Sequence, residues 1–262
     1  MGSDAGVTWP KKRRDIHNHH MDSTIWDRFV FRDDDVVVAT YAKAGTTWTQ
    51  HIVGQLVFGG DPAVEIAKIS PWVDLRIMPP NLLELLEAQQ HRRIVKTHLP
   101  LDALTFSPKA KYLYIGRDGR DVVWSLYNHH ASANQSWYDA LNDTPGRVGP
   151  AIERPDPDIR RYFLTWLDGN GAPFWSCWEN VASWWAARDL PNVKLVHFND
   201  LKREPEREIR GFGEEGEVVE QYGHVHDLPD AATMLDPPTQ EILRAALSEM
   251  WHAELHLSFF HG

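Results

Sequence analysis

VVVATYAKAGTTWTQ, residues 36–50, passes from an unalternated β-branched segment through a small-residue turn with one lysine into a helical pattern. Val36, Val37 and Val38 read as a strand buried on both faces of a parallel sheet. Gly45 permits a tight turn and close approach of a ligand to the backbone, and Thr46 and Thr47 add hydroxyls. The N–H groups of the following helix then point at whatever the turn holds, and a phosphate is the natural occupant. Read alone, the stretch also fits an ordinary βα turn with a solvated Lys43. It is not a Walker A loop, since that pattern has two glycines with the lysine after the second, and here Lys43 precedes the only one.

After the turn, Trp48, Ile52, Val53, Leu56 and Val57 recur at helical spacing until Gly59 and Gly60 end the helix. A short helix is expected over 81–90, then a second strand over 92–98, RRIVKTH, closed by Pro100. Lys96 and His98 share one face of that strand at its carboxyl end, the edge where open α/β sheets bind ligands. A third strand, KYLYIG at 111–116, delivers Arg117 to the same edge, and a helix follows that carries Ser125. An arginine at the strand end and a serine in the second helical turn can converge on one anion. They also fit a surface arginine beside a capped turn. Residues 131–171, rich in Asn and Pro, read as a loop-like insertion or lid base. A tryptophan-rich helix over 179–190, a fourth strand over 193–198 and a short charged helix over 204–210 come next. Residues 211–223 have weak periodicity, and a last helix is expected over 239–251.

The chain has 262 residues, enough for one large domain with a substantial core. Cys177 is its single cysteine, which excludes an internal disulfide and fits a reducing, cytoplasmic setting. No secretory signal or membrane-spanning run is visible, and a formal charge of −10 argues against a general nucleic-acid surface. Any anionic ligand is therefore held by locally focused positive groups. Residues 1–30 read as a polar leader in which Lys11, Lys12, Arg13 and Arg14 precede His17, His19 and His20. Their spacing gives no convincing metal site. Asp33, Asp34 and Asp35 resemble a metal cluster in composition, but successive strand residues face opposite ways. Of the 12 tryptophans, Trp175, Trp178, Trp184 and Trp185 are expected mostly in the core. Trp72, Trp137, Trp175 and Trp178 are also candidates for a flat apolar pocket.

Taken in order, YAKAGTTW at 41–48, RIVKTHLPLDAL at 93–104 and YLYIGRDGRDVVWSLYNHH at 112–130 resemble the soluble sulfotransferases that use 3′-phosphoadenosine 5′-phosphosulfate (PAPS). HFNDLKREPEREI at 197–209 is similar to a fourth stretch of that family, near the adenine. The resemblance implies an α/β, P-loop-like three-layer fold, with a central parallel sheet flanked by helices. It assigns Lys43, Ala44, Gly45, Thr46 and Thr47 to the 5′-phosphosulfate, and Trp48 and Phe198 to the adenine. Arg117 and Ser125 take the 3′-phosphate, while Lys96 and His98 act at the sulfuryl group and the acceptor, with Lys43 as a further catalytic residue. The implied partner is a small-molecule hydroxyl acceptor, the product nucleotide is the 3′,5′-bisphosphate PAP, and no metal is required.

The chain also departs from the family pattern. Ala42 and Ala44 replace a usual proline and serine, and Phe198 stands where many relatives have tyrosine. After residue 210 the family's adenine segment is not recognisable, and SFFHG at 258–262 opens what in relatives is a basic loop clamping the 3′-phosphate. These departures leave room for a nucleotide-binding relative of weak or absent activity. A small-molecule kinase, the remaining P-loop reading, lacks its Walker lysine.

Overall fold

The computed structural model describes residues 7–214. Strand β1 (Val36–Thr40) leads into helix α1 (Thr46–Phe58), and α2 (Ile66–Ile69) and α3 (Leu82–Glu87) precede β2 (Ile94–Thr97). Strand β3 (Lys111–Gly116) feeds α4 (Gly119–Ser132), followed by α5 (Gln135–Asp143), α6 (Ile159–Asp168) and α7 (Cys177–Trp185). Strand β4 (Val193–His197) passes directly into α8 (Phe198–Arg203), and α9 (Pro205–Glu214) follows. The strands pair in the order β2-β1-β3-β4, all parallel.

Every residue of β1 is buried, as its unalternated valines require of a central strand. Val37, Ala39, Val95, Tyr112 and Tyr114 face one apolar layer, which includes residues of α4 and α7. Val36, Val38, Ile94, Leu113 and Ile115 face the other, filled by Ile52 and Val53 of α1 and by Phe198 and Leu201 of α8. From β1 the chain crosses to β2 on one side and then reaches β3 on the other. The strand order therefore reverses at the carboxyl ends of β1 and β3, where doubly wound sheets open a ligand crevice.

All four expected strands are present, the second trimmed to 94–97 and the fourth to 193–197 because Phe198 opens α8. The reading of 131–171 as loop-like is corrected by α5 and α6. Asn134, one of the residues that suggested a loop, is a helix cap whose side chain accepts from the N–H of Trp137, and Asp158 caps the next helix by accepting from the N–H of Arg160. The two helices bury Tyr138 and Leu141, and Tyr162 and Trp166, at helical spacing. The polar-leader reading is corrected as well. Met21 and Trp26 are fully buried, and the basic run is tied down, with Lys12 on Asp27 at 2.8 Å and Arg14 on Glu179 at 2.8 Å. Of the clustered tryptophans, Trp184 and Trp175 are buried, but Trp178 and Trp185 are 51% and 60% exposed and so lie outside the core. The expected helix over 239–251 and the SFFHG end lie outside the described residues.

The three aspartates diverge. Asp33 reaches Lys109 at 3.1 Å, Asp34 reaches Arg92 at 3.7 Å, and buried Asp35 receives Nε and Nη2 of buried Arg93 at 2.7 and 2.5 Å. This last pair joins the entry ends of β1 and β2, opposite the ligand edge.

Candidate active site

The turn after β1 is held open by backbone conformation. Lys43 has φ 63° and Gly45 φ 104°, both left-handed, and Gly45 serves as N-cap of α1 without offering a side chain to its first turn. A Cβ on Gly45 would stand 2.6 Å from Cδ2 of Phe198, so the glycine is also needed for close packing. The N–H of Ala44, a residue assigned to the ligand, donates to the Tyr41 carbonyl at 3.3 Å within the turn. Thr46 is buried with its hydroxyl 2.6 Å from that of Thr40, whereas Thr47 is exposed at the helix start.

Phe198 gathers the nucleotide-side residues. Its ring meets Trp48 edge-on at 5.5 Å and lies 4.4 Å below the Arg117 guanidinium. Arg117 in turn donates through Nη1 to the Lys43 carbonyl at 3.0 Å, and Asp121 stands 3.7 Å from its Nε. The loop after β1 and the exit of β3 are thus fastened to each other. Ser125 sits half-buried in the second turn of α4, and no hydrogen bond joins it to Arg117.

His98 lies one residue past β2 and is buried. Its Nδ1 is 2.9 Å from the Thr40 carbonyl, which can only accept, so Nδ1 carries the proton and Nε2 keeps a lone pair. Burial, then the charge of Lys96 and more weakly that of Lys43, push its pKa down to about 3 against the pull of the Thr40 carbonyl. The imidazole is therefore neutral at physiological pH. Lys96 is itself held below its ordinary range, first by burial, with Asp74 opposing and Lys43 reinforcing, and its Nζ lies 5.6 Å over the Trp72 ring.

Several supporting contacts were not read from the sequence. The Asn180 amide donates to the His98 carbonyl at 2.9 Å and accepts from Tyr114 at 2.8 Å, and the Trp184 indole donates to the Leu99 carbonyl at 3.0 Å. Buried Asp74 accepts from the indoles of Trp72 at 2.8 Å and Trp26 at 3.1 Å. That fixes Trp72 edge-on to His98 at 4.5 Å, with Trp175 at 5.9 Å on another side. Thr40 alone had a local signal, being the polar residue that ends an apolar strand; the others depend on long-range packing. Among the described residues no group of three or more His, Cys, Asp or Glu side chains is placed to hold a metal ion. Nor is any helix there long and apolar enough to cross a membrane.

Residues 33–214 match the family described as the sulfotransferase domain. A glycolipid sulfotransferase of Mycobacterium tuberculosis is 29% identical over 260 residues, spanning 89% of this chain and 79% of the relative. Sulfotransferase 1B1 of Mus musculus is 30% identical over 218 residues, spanning 77% of this chain and 67% of the relative. Among solved structures, mouse sulfotransferase SULT7A1 complexed with PAP is similar in fold, with a TM-score of 0.59 at 21% identity, covering 87% of this chain and 68% of that one.

Proposed function

The chain belongs to the sulfotransferase family, and from that premise we propose that it moves a sulfuryl group from PAPS to a hydroxyl of a small aromatic or aliphatic acceptor. The observation that carries this reading is His98, whose Nδ1 is committed to the Thr40 carbonyl, so that Nε2 keeps its lone pair in a ring neighboured by Lys96. The PAP complexed with mouse SULT7A1, a chain of similar fold, supports PAPS as donor.

In this reading the uncapped first turn of α1 and Lys43 hold the 5′-phosphosulfate, and Arg117 with Ser125 holds the 3′-phosphate. Trp48 and Phe198 flank the adenine. A hydroxyl is a poor nucleophile while protonated, so His98 Nε2 takes its proton as the acceptor oxygen bonds to sulfur. The bond from sulfur to the 5′-phosphate oxygen breaks, and that oxygen leaves with the electron pair. Lys43 and the helix N–H groups stabilise the charge that grows there, already in position before the reaction. An imidazole kept neutral first by burial and then by two neighbouring ammonium groups becomes a better base when donor anions offset those charges, which couples proton removal to donor binding.

The test is formation of PAP from PAPS with phenol, alcohol and amine acceptors. Hydroxyl-dependent PAP formation is expected. PAP binding by calorimetry with no turnover on any acceptor would instead favour a nucleotide-binding relative.

A further inference from the structure

The wall beside His98 contains a histidine pair that the transfer step does not use. Residues 17–22 form a closed turn, in which Asn18 Oδ1 accepts from the N–H groups of His20 and Met21, each at 2.8 Å. Arg76 fastens that turn to the end of α5, donating to the carbonyls of His19 at 3.2 Å and Thr144 at 2.7 Å. Its own backbone N–H donates to the His20 carbonyl at 2.7 Å. The two imidazoles are therefore placed by the backbone rather than by chance rotamers.

Their protons can be assigned from their partners. His19 Nε2 is 2.8 Å from the Pro173 carbonyl, which only accepts, so that nitrogen donates and His19 Nδ1 bears a lone pair. His20 Nδ1 meets His19 Nδ1 and so must be the donor of that bond. The remaining nitrogen, His20 Nε2, is then an obligatory acceptor, and no group among the described residues donates to it. His20 is 5% exposed and this nitrogen is not one of the fully enclosed polar atoms, so it opens onto space that a polar group of a ligand can reach. The aromatic rings around His20 are those of Phe174 at 5.5 Å, Trp137 at 5.6 Å, Trp175 at 5.8 Å and Trp72 at 6.1 Å. Trp72 and Trp175 are the same two rings that flank His98. Trp137 also borders an open cleft of about 430 Å³ with His129 and Asn134.

We infer that His20 Nε2 is a specificity-determining contact, accepting a hydrogen bond from a second O–H or N–H carried on the flat frame of the acceptor while His98 takes the proton of the reacting hydroxyl. The acceptor class is then an aromatic diol or hydroxy-amine rather than a simple alcohol. This rests on the sulfuryl-transfer reading for the identity of the pocket. Burial is the main cause that holds His20 well below its ordinary pKa, with the neighbouring histidines adding to it, so it stays a neutral acceptor rather than an imidazolium donor.

The experiment compares matched probes on the PAP-loaded chain by quenching of tryptophan fluorescence: hydroquinone against para-cresol, and the longer biphenyl analogues of the same pair. The parent is expected to bind the diol about tenfold more tightly than its methyl partner at one of the two lengths, the effect of one satisfied buried acceptor. His20→Phe should abolish that preference while keeping cresol binding, and His20→Gln, which retains an acceptor oxygen, should restore part of it. Equal binding of the pairs by the parent, or a diol preference that survives His20→Phe, overturns the inference. PAP formation from PAPS is followed in parallel. A diol preference without PAP formation leaves the His20 contact standing and removes the transfer reading, whereas PAP formation without the preference does the reverse.

Discussion

Gly45 and Arg117 show how closely single residues set the nucleotide side of the site. An alanine at Gly45 meets both a left-handed φ of 104° and the Phe198 ring at 2.6 Å. Gly45→Ala is expected to lower stability by about 1–3 kcal/mol and to weaken PAP binding. Thermal unfolding and calorimetry read the two effects, and adding Phe198→Leu should relieve the clash but not the backbone strain. Arg117 has no full replacement for what it does, since it ties the Lys43 carbonyl to the Phe198 ring and is the proposed 3′-phosphate ligand. Arg117→Ala should weaken PAP by about tenfold or more, the worth of one charge-assisted hydrogen bond of about 1.5–3 kcal/mol. Calorimetry showing unchanged affinity would remove Arg117 from the phosphate site.

Among the elements, α7 acts as a clamp on the strand end that carries His98. Asn180→Ala breaks buried bonds to the His98 carbonyl and the Tyr114 hydroxyl, and the unpaired groups should cost about 1–3 kcal/mol of stability. Because the damage falls on placement of the base, kcat is expected to drop more than KM rises. At the opposite edge, Asp35→Ala removes the buried partner of Arg93, leaving half-exposed Glu87 and the Val30 carbonyl, and should cost about 3 kcal/mol by denaturant unfolding, more than replacing both members of the pair by apolar residues. The strands were legible in the sequence because runs such as VVVAT and KYLYIG are apolar without alternation, which only a doubly covered sheet explains. Helices α5 and α6 were not, because their caps and the prolines between them carry the same residues as a loop, while their apolar contacts are distant in sequence. The same holds for Asp74, Asn180 and His20, whose roles come from partners far along the chain.

Across the molecule, buried neutral histidines set the acid limit. Burial is the main cause that holds His98 down at about 3 and His130 at about 4, and His19 and His20 also lie below their ordinary value. In the unfolded chain each takes a proton near its ordinary value of about 6.5, so between there and about 4 the unfolded state binds more protons than the native one. Stability should therefore fall as pH drops through that window. Asp74, raised chiefly by burial, works the other way but is a single group. Melting temperature followed from neutral pH downward checks this, and a flat profile would speak against it. PAPS-dependent transfer with His98 as base stands or falls on single-turnover formation of PAP at saturating donor and acceptor, parent against His98→Ala. A fall of about a hundredfold or more is expected, with PAP affinity preserved; an alanine variant that turns over as fast as an active parent would take His98 out of the chemistry.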